Sequence, residues 1–274
     1  MISYQFKREF FETLSILKDY LSDIVIAGGW APLIYYHYLL SDKSREPLRT
    51  IDIDIVVPEH LKKRKDKTVD AILLEAGFKT CFKSLHTPPV ISYEGTIGEF
   101  EVEIEFLTHR RGAREGQVTV VQEGLHAQML RFINVLLENS INVEIDDFKL
   151  EGNKLLRIRV PTPGAFVFQK GLTFVRRVKP VKKAKDLYYI FDLLSNRDEL
   201  NEQIIEEINS FRELYPVNWT KQFKRNFKTH FSDEDAEGVL MVRSQRPDGA
   251  FSEMDGEQFS QYVLGIFQEF IDSI

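Results

Sequence analysis

Residues 24–57, IVIAGGWAPLIYYHYLLSDKSREPLRTIDIDIVV, decide how this chain folds. A short β-branched run ends in Gly28 and Gly29, an apolar stretch with helical spacing follows, and a second β-branched run carries Asp52 and Asp54. Glycine pairs terminate strands in tight turns, and β-branched runs of this length are typical of buried strands. The segment therefore predicts a strand, a glycine turn, a helix and a second strand.

The two aspartates of the second run are expected to share one side of a sheet. Side chains alternate along a strand, so Asp52 and Asp54 point the same way. Two carboxylates held together cost solvation and repel each other unless a cation or hydrogen bonds compensate them. Oxygen ligands suit Mg²⁺, which makes a divalent metal site the leading explanation. The alternative is a pair of acids that keep an edge strand soluble.

The glycine pair suggests a phosphate near these acids. Gly28 and Gly29 would let backbone N–H groups approach phosphate oxygens, and the following helix start adds partial positive charge. The second strand is expected to run from Thr50 to Val57, which places Thr50 on the same face as Asp52, where its hydroxyl could contact phosphate or hold a metal ligand. An ordinary strand-to-helix turn and a threonine without a role remain open alternatives. Together these residues indicate metal-assisted phosphoryl or nucleotidyl transfer.

A later strand, GEFEVEIEF at residues 98–106, offers a third carboxylate. Its alternation places acids on one face and apolar side chains on the other. The acidic positions are Glu99, Glu101, Glu103 and Glu105. We expect this strand to be the antiparallel neighbour of the aspartate strand, and the pattern leaves open which of the four acids joins Asp52 and Asp54.

Composition describes an ordinary globular chain. Of 274 residues, 43% are hydrophobic and 28% charged, and there is no apolar run near the length of a membrane span. The net charge of −6 argues against nucleic-acid binding by the whole surface. The N-terminus has no export-signal pattern. The single cysteine, Cys81, cannot form an internal disulfide, which favours a reducing compartment, and it is interpreted as a buried hydrophobic residue. We therefore expect a cytoplasmic protein without a membrane segment.

The chain is expected to be an α+β protein of two domains. The sequence VPTPGAF marks the boundary, because two prolines and a glycine precede a long helical region. Residues 1–160 should form a mixed sheet flanked by helices, including a helix at 125–137 and two strands within 142–160. Residues 161–274 should be mainly helical, with VLMVRS the one run that could be a strand.

The motif order resembles the core of the DNA polymerase β-type nucleotidyltransferase superfamily, in which a glycine pair, a spacer helix and an Asp-x-Asp strand recur. Gly28, Gly29, Asp52 and Asp54 match that pattern, although many members have serine at the second glycine. The stretch PTPGAFVFQKGLTFVRRVKPVKKAKDLYYIFDLL at 161–194 resembles the helical segment of prokaryotic AbiEii-like nucleotidyltransferases, including its Lys-Asp-Leu helix start. The phrase EFLTHRRG resembles the third-carboxylate strand and favours Glu105 over Glu103.

The resemblance implies a nucleotidyltransferase core that moves an NMP group from an NTP, such as ATP, to a hydroxyl. Asp52, Asp54 and Glu105 would hold Mg²⁺ or Mn²⁺. The residues implied on the donor nucleotide are Gly28, Gly29, Thr50, Lys170, Lys185 and Asp186. Lys170 would take part in catalysis by neutralising the β- and γ-phosphates, with Asp186 fixing Lys170 or Lys185. Alternatively, Lys170 is a surface lysine and Lys185-Asp186 merely begins a helix.

The acceptor is open, and RNA, a protein or a small molecule are all candidates. The cluster Arg110, Arg111 and Arg114 could bind nucleotide or an RNA acceptor, or could simply keep a loop soluble. AbiEii-like relatives include toxins of toxin–antitoxin pairs, which implies an antitoxin protein as a partner. The alternatives are a non-catalytic nucleotide- or protein-binding module that retains the fold, and phosphotransfer to an antibiotic-like small molecule.

Overall fold

The computed structural model describes residues 4–40, 48, 50–83, 91–109, 117–195 and 200–274. The chain divides into two compact units, unit 1 (Met1–Thr162) and unit 2 (Pro163–Ile274). The arginine cluster Arg110, Arg111 and Arg114 lies outside the described residues.

Unit 1 is built on a mixed sheet. Its strands are β1 (Val25–Ile26), β2 (Asp52–Val56), β3 (Lys79–Phe82), β4 (Ile91–Ile97), β5 (Phe100–His109), β6 (Val118–Gln122) and β7 (Leu125–Leu130). The path runs β1-β2-β5-β4-β3, and β7 pairs with both β5 and β6. The pairs β2–β5 and β5–β7 are parallel and the remaining pairs are antiparallel. The structure therefore confirms a mixed sheet.

Helices flank this sheet, and a hairpin completes unit 1. The helices are α1 (Tyr4–Ile16), α2 (Trp30–Ile34), α3 (Val69–Glu75) and α4 (Asn134–Glu138), and the hairpin strands are β8 (Ser140–Leu150) and β9 (Lys154–Pro161). A π-helical turn, Tyr35–Leu39, extends α2. Phe10 of α1 stacks on Trp30 with ring centroids 3.5 Å apart and planes 4° apart. That contact packs α1 against the residue that directly follows the glycine turn.

A buried glutamine ties several of these elements together. Gln122 of β6 accepts a hydrogen bond from the Val69 backbone N–H at 2.7 Å. Its amide donates to the Tyr20 hydroxyl and to the Leu61 carbonyl, both at 3.1 Å. Buried polar groups are costly when unpaired, so one side chain satisfies donors and acceptors of three separate segments.

The predicted helix at 125–137 is wrong for its first half. Leu125–Leu130 forms β7, and only Asn134–Glu138 is helical. Gly124, at φ +79°, turns the chain so that β7 folds back on β6. Pairing with two strands thus outweighs a local apolar spacing that also suits a helix.

Unit 2 consists of helices in the part that the structure describes. They are α5 (Pro163–Thr173), α6 (Pro180–Ser195), α7 (Asn201–Leu214), α8 (Val217–His230), α9 (Glu237–Ser244) and α10 (Gly256–Ser273). The VLMVRS run lies in α9 and is not a strand. Gly171 of α5 is a close-packing position, because a Cβ there would lie 2.7 Å from a ring carbon of Phe227.

The predicted fold class is confirmed: the protein is α+β, with a mixed sheet flanked by helices and a mainly helical C-terminal region. Among the described helices, none has a stretch long and apolar enough to cross a membrane.

Candidate functional site

The aspartate strand β2 and the acidic strand β5 are direct neighbours. Asp52 pairs in register with Glu103, and Asp54 pairs with Glu105. The strands are parallel, so the expected antiparallel pairing is wrong. The chain between them passes through α3, β3 and β4, and β4 then pairs antiparallel with β5, which returns β5 in the direction of β2.

Parallel register places two rows of acids on one side of the sheet, because neighbouring strands lie about 4.8 Å apart and in-register side chains point the same way. We call Asp52, Asp54, Glu103 and Glu105 the carboxylate face. Asp52 is exposed and the other three are half-buried. The intervening residues point to the opposite, buried side, for example Ile53 at 1% exposure. The predicted division of β5 into an acidic and an apolar face is confirmed.

Gly28 lies directly against one of these acids. Its φ is +61°, and a Cβ built there would lie 2.9 Å from Cγ of Asp54 and nearer still to Oδ2. The Ala27 N–H also donates to the Asp54 carbonyl at 2.8 Å. Gly29, by contrast, has a helical φ of −72° and ψ of −11°. Only Gly28 requires glycine on both conformational and steric grounds, which agrees with serine being accepted at the second position.

Thr50 lies just outside this arrangement. It is half-buried and precedes β2, which begins at Asp52. The expectation that Thr50 belongs to the same strand as the aspartates is therefore wrong, since strand alternation does not extend to it.

Sequence reasoning missed a lysine on the carboxylate face. Lys83 follows β3 directly, forms an ion pair with Glu103, and places its ammonium 3.7 Å from Oε1 of Glu94. The hydrogen bond to Glu103 is the main cause of a raised pKa for Lys83. The spacing of Lys79, Cys81 and Lys83 was the available signal, because alternate residues share a face.

The same rows continue across β4 and β3. Glu105 is in register with Ser92, and Ser92 with Cys81. Ser92 is fully buried, and its hydroxyl has no hydrogen-bond partner among the residues the structure describes. Cys81 is a half-buried free thiol, so its interpretation as a buried core residue is wrong. A hydrogen bond with Glu94, followed by burial, raises the pKa of this thiol.

Lys170 and Asp186 form a buried ion pair within unit 2. Lys170 is 7% exposed and Asp186 is 4% exposed, so Lys170 is not a surface lysine. Asp186 also accepts a hydrogen bond from Arg177 Nε at 2.7 Å. Burial by itself would raise the pKa of Asp186, but the charges of Lys170 and Arg177 outweigh it and lower that pKa.

The predicted Lys-Asp-Leu helix start is wrong. Helix α6 begins at Pro180, so Lys185 and Asp186 lie in its second turn. The ammonium of Lys185 lies over the ring of Tyr189, 5.7 Å from its centroid. Asp186 lies inside α6, where it pairs with Lys170, and it does not cap the N-terminus of the helix.

The carboxylate face fits a divalent cation chemically. Asp52, Asp54 and Glu105 supply the oxygen donors that Mg²⁺ prefers, and Gly28 leaves room for the Asp54 carboxylate. Within the described residues, no group of three or more His, Cys, Asp or Glu side chains is placed so that it could hold a metal ion. Mg²⁺ commonly uses only one or two carboxylates together with waters and substrate phosphates, so a partly assembled donor set suits it.

The sequence itself decides the family. A profile described as nucleotidyltransferase matches residues 13–210, a range that includes β2, β5, α5 and α6. The chain belongs to this nucleotidyltransferase family. The predicted superfamily is thereby confirmed, whereas the AbiEii-like subgroup stays a prediction. No curated protein matches the chain.

Two solved structures are similar to this nucleotidyltransferase family member. A crystal structure from H. pylori, described as a nucleotidyltransferase, is 13% identical with a TM-score of 0.44, covering 99% of this chain and 96% of that one. An antigenic nucleotidyltransferase-like protein from Paracoccidioides brasiliensis is 17% identical with a TM-score of 0.38, covering 81% of this chain and 94% of that one.

Proposed function

We propose that this protein transfers an NMP group from an NTP to a hydroxyl acceptor in a reaction that depends on Mg²⁺ or Mn²⁺. The observation that carries the proposal is the in-register pairing of Asp54 with Glu105, directly beside the Gly28 turn. This pairing gathers carboxylates from two strands at the point where Gly28, which has no Cβ, lets the Asp54 carboxylate approach the backbone. Membership of a nucleotidyltransferase family supports the same reaction class.

In this proposal Asp52, Asp54 and Glu105 hold the metal ions. When bound, the metal would acidify the acceptor hydroxyl and offset the charge of the triphosphate. The Glu105 carboxylate accepts the hydroxyl proton as the acceptor oxygen forms its bond to the α-phosphorus. The bond from the α-phosphorus to its bridging oxygen breaks, and pyrophosphate leaves with that electron pair.

The backbone N–H groups of Gly28 and Gly29 are proposed to orient phosphate oxygens. Thr50, which lies just before β2, is proposed to contact phosphate or to hold a metal ligand. Two lysines of unit 2 are also proposed to bind the nucleotide: Lys185, and Lys170, which would neutralise the β- and γ-phosphates. The Lys170 ammonium pairs with Asp186 in the structure. Lys170→Met and Lys185→Met should each weaken ATP binding. Unchanged ATP affinity in both variants would remove these lysines from the proposed site.

The direct test is label transfer. The purified chain of residues 1–274 is incubated with Mg²⁺, each α-labelled NTP in turn, and total RNA, total protein or a small-molecule hydroxyl mixture. We expect labelled acceptor with the wild type and none with Asp52→Asn combined with Asp54→Asn. Asp146→Asn is the matched control, because Asp146 is an exposed aspartate on β8 of the same unit. Equal labelling by the double variant and the wild type would refute the mechanism.

The same assay, run in parallel with γ-labelled NTP, separates the alternatives. Nucleotide binding without transfer by the wild type would favour a non-catalytic binding module. Labelling restricted to small molecules, from the γ position only, would favour phosphotransfer to an antibiotic-like acceptor.

A toxin role, with an antitoxin partner, is the further proposal, and it is supported by the resemblance of residues 161–194 to AbiEii-like proteins. Induced wild-type protein should then arrest bacterial growth, whereas the Asp52→Asn, Asp54→Asn variant should not. Normal growth with the active wild-type protein would contradict this role.

A further inference from the structure

Helix α8 of unit 2 carries four cations along one side, which we call the cationic face. Lys221, Lys224, Arg225 and Lys228 follow one another at steps of three and four residues, a spacing that places them on the same face of a helix. The helix contains no Asp or Glu. In a chain whose acids outnumber its Lys and Arg by 42 to 36, this helix therefore concentrates positive charge that its own side chains do not offset.

Most of these cations lack an acidic partner. Lys221, Arg225 and Lys228 are exposed, and within the described residues they form no ion pair. Lys224 is half-buried and donates a hydrogen bond to the main-chain oxygen of Ile274. Three positive charges of one helix face are therefore available to a ligand.

The cations are also close enough to repel one another. Burial lowers the pKa of Lys224, and the charges of Arg212 on α7 and of Lys228 lower it further. Like charges at a spacing of four residues destabilise a helix. An anion bound along this face would relieve that repulsion.

Other basic residues of unit 2 are compensated within the protein. Arg177 pairs with the buried Asp186, and Lys183 pairs with Glu237 of α9. Both pairs connect separate segments of the unit. The cationic face makes no comparable contribution to packing, so its charge concentration is not explained by the stability of unit 2.

The composition of the cationic face favours a phosphate backbone as its ligand. Lysine is depleted in protein interfaces, whereas Lys and Arg contacts to phosphates supply nearly all of non-specific nucleic-acid binding. Stable binding to a bilayer needs apolar side chains in addition to charge. Phe223 and Phe227 are fully buried, and within α8, all of which the structure describes, Val217 is the one large hydrophobic residue that is exposed. The face spans about 10 Å along the helix, enough to follow a few nucleotides of one strand.

We propose that the cationic face of α8 binds the phosphodiester backbone of a nucleic acid, either RNA or DNA. Binding should be independent of base sequence, because contacts to phosphate carry no direct base information. The face lies within unit 2, and its binding does not depend on the proposed nucleotidyl transfer. A chain that transfers no label could still bind nucleic acid, and the reverse also holds.

The test is the affinity of the purified chain of residues 1–274 for fluorescent oligouridylate and, separately, oligothymidylate, measured by fluorescence anisotropy at several salt concentrations. If Lys221, Arg225 and Lys228 each neutralise one phosphate, the affinity should fall about twenty-fold between roughly 50 mM and 200 mM salt. Lys221→Gln combined with Lys228→Gln leaves one of these contacts. This variant should bind more weakly at low salt, and its affinity should fall only about three-fold over the same range.

Lys18→Gln combined with Lys154→Gln is the matched control. Both lysines are exposed in unit 1, and within the described residues neither forms an ion pair, so these substitutions change the net charge by the same amount. The control should keep the wild-type affinity and salt dependence. Lys221→Arg combined with Lys228→Arg retains both charges of the cationic face and should also bind as the wild type does.

The outcomes separate the possible ligands. Binding of only one of the two oligonucleotides, with the expected loss in the Lys221→Gln, Lys228→Gln variant, would support the proposal and identify the source of the backbone. Equal losses in that variant and in the control, or a wild type that binds neither oligonucleotide at about 50 mM salt, would overturn it. Binding to phosphatidylserine vesicles without binding to either oligonucleotide would also overturn it, because the face would then serve a membrane surface.

Discussion

Replacing Gly28 with alanine tests whether the glycine turn sets the position of the Asp54 carboxylate. The backbone at Gly28 has a φ of +61°, a left-handed conformation that costs an L-residue roughly 1–2 kcal/mol. The new Cβ would also lie 2.9 Å from Cγ of Asp54, a separation that carbon atoms do not tolerate without movement. The aspartate side chain must therefore shift away from its position beside Glu105.

The two costs can be measured separately. The backbone term should lower the free energy of unfolding in denaturant by about 1–2 kcal/mol. The displaced carboxylate should reduce label transfer on the order of a hundredfold, since small misplacements of reacting groups have effects of this size. Mn²⁺ affinity should fall in parallel, because Asp54 is a proposed ligand.

Gly29→Ala is the matched control. Gly29 has a helical φ of −72°, which alanine adopts without strain. We expect Gly29→Ala to reduce transfer much less than Gly28→Ala. Equal transfer rates and equal Mn²⁺ affinities in the two variants would refute the argument that the Gly28 approach positions Asp54.

Two further predictions concern stability. Asp186→Asn should destabilise the protein by about 3–5 kcal/mol, because it leaves the buried Lys170 ammonium without its carboxylate. The pKa of Asp186 is lowered in the folded protein, so its stabilisation is complete above the unfolded pKa and is lost as the pH falls below about 4. The free energy of unfolding of the wild type, measured in denaturant, should therefore fall more steeply with decreasing pH in that range than that of Asp186→Asn. Parallel curves of the free energy of unfolding against pH would contradict this. Gln122→Ala should lower the free energy of unfolding by about 1–3 kcal/mol for each buried backbone group that it leaves unpaired, the Val69 N–H and the Leu61 carbonyl. A change below about 0.5 kcal/mol, the size typical of surface substitutions, would contradict this prediction.

The segment 24–57 could be predicted from sequence because its signals are local. The glycine pair ends β1, alternation defines β2, and the same alternation divides β5 into an acidic and an apolar face. These features depend only on backbone conformation and side-chain period. The helices of unit 2, in the part that the structure describes, follow in the same way from spacing that continues over several turns.

Features that depend on long-range pairing could not be predicted. The parallel direction of β5 relative to β2 is set by the intervening β3 and β4, and the strand at 125–130 is set by its pairing with β6. Lys83 joins the carboxylate face only because β3 lies beside β4. Local spacing contains no information about which strand becomes a neighbour, so an ion pair between strands remains hidden until the sheet order is known.

The most direct test of the central claim is to compare α-labelled and γ-labelled NTP in otherwise identical transfer reactions with Mg²⁺. Nucleotidyl transfer predicts that the acceptor gains the α-label and that the γ-label appears in pyrophosphate. An acceptor that gains only the γ-label would contradict the account, because Asp52, Asp54 and Glu105 would then serve phosphoryl transfer.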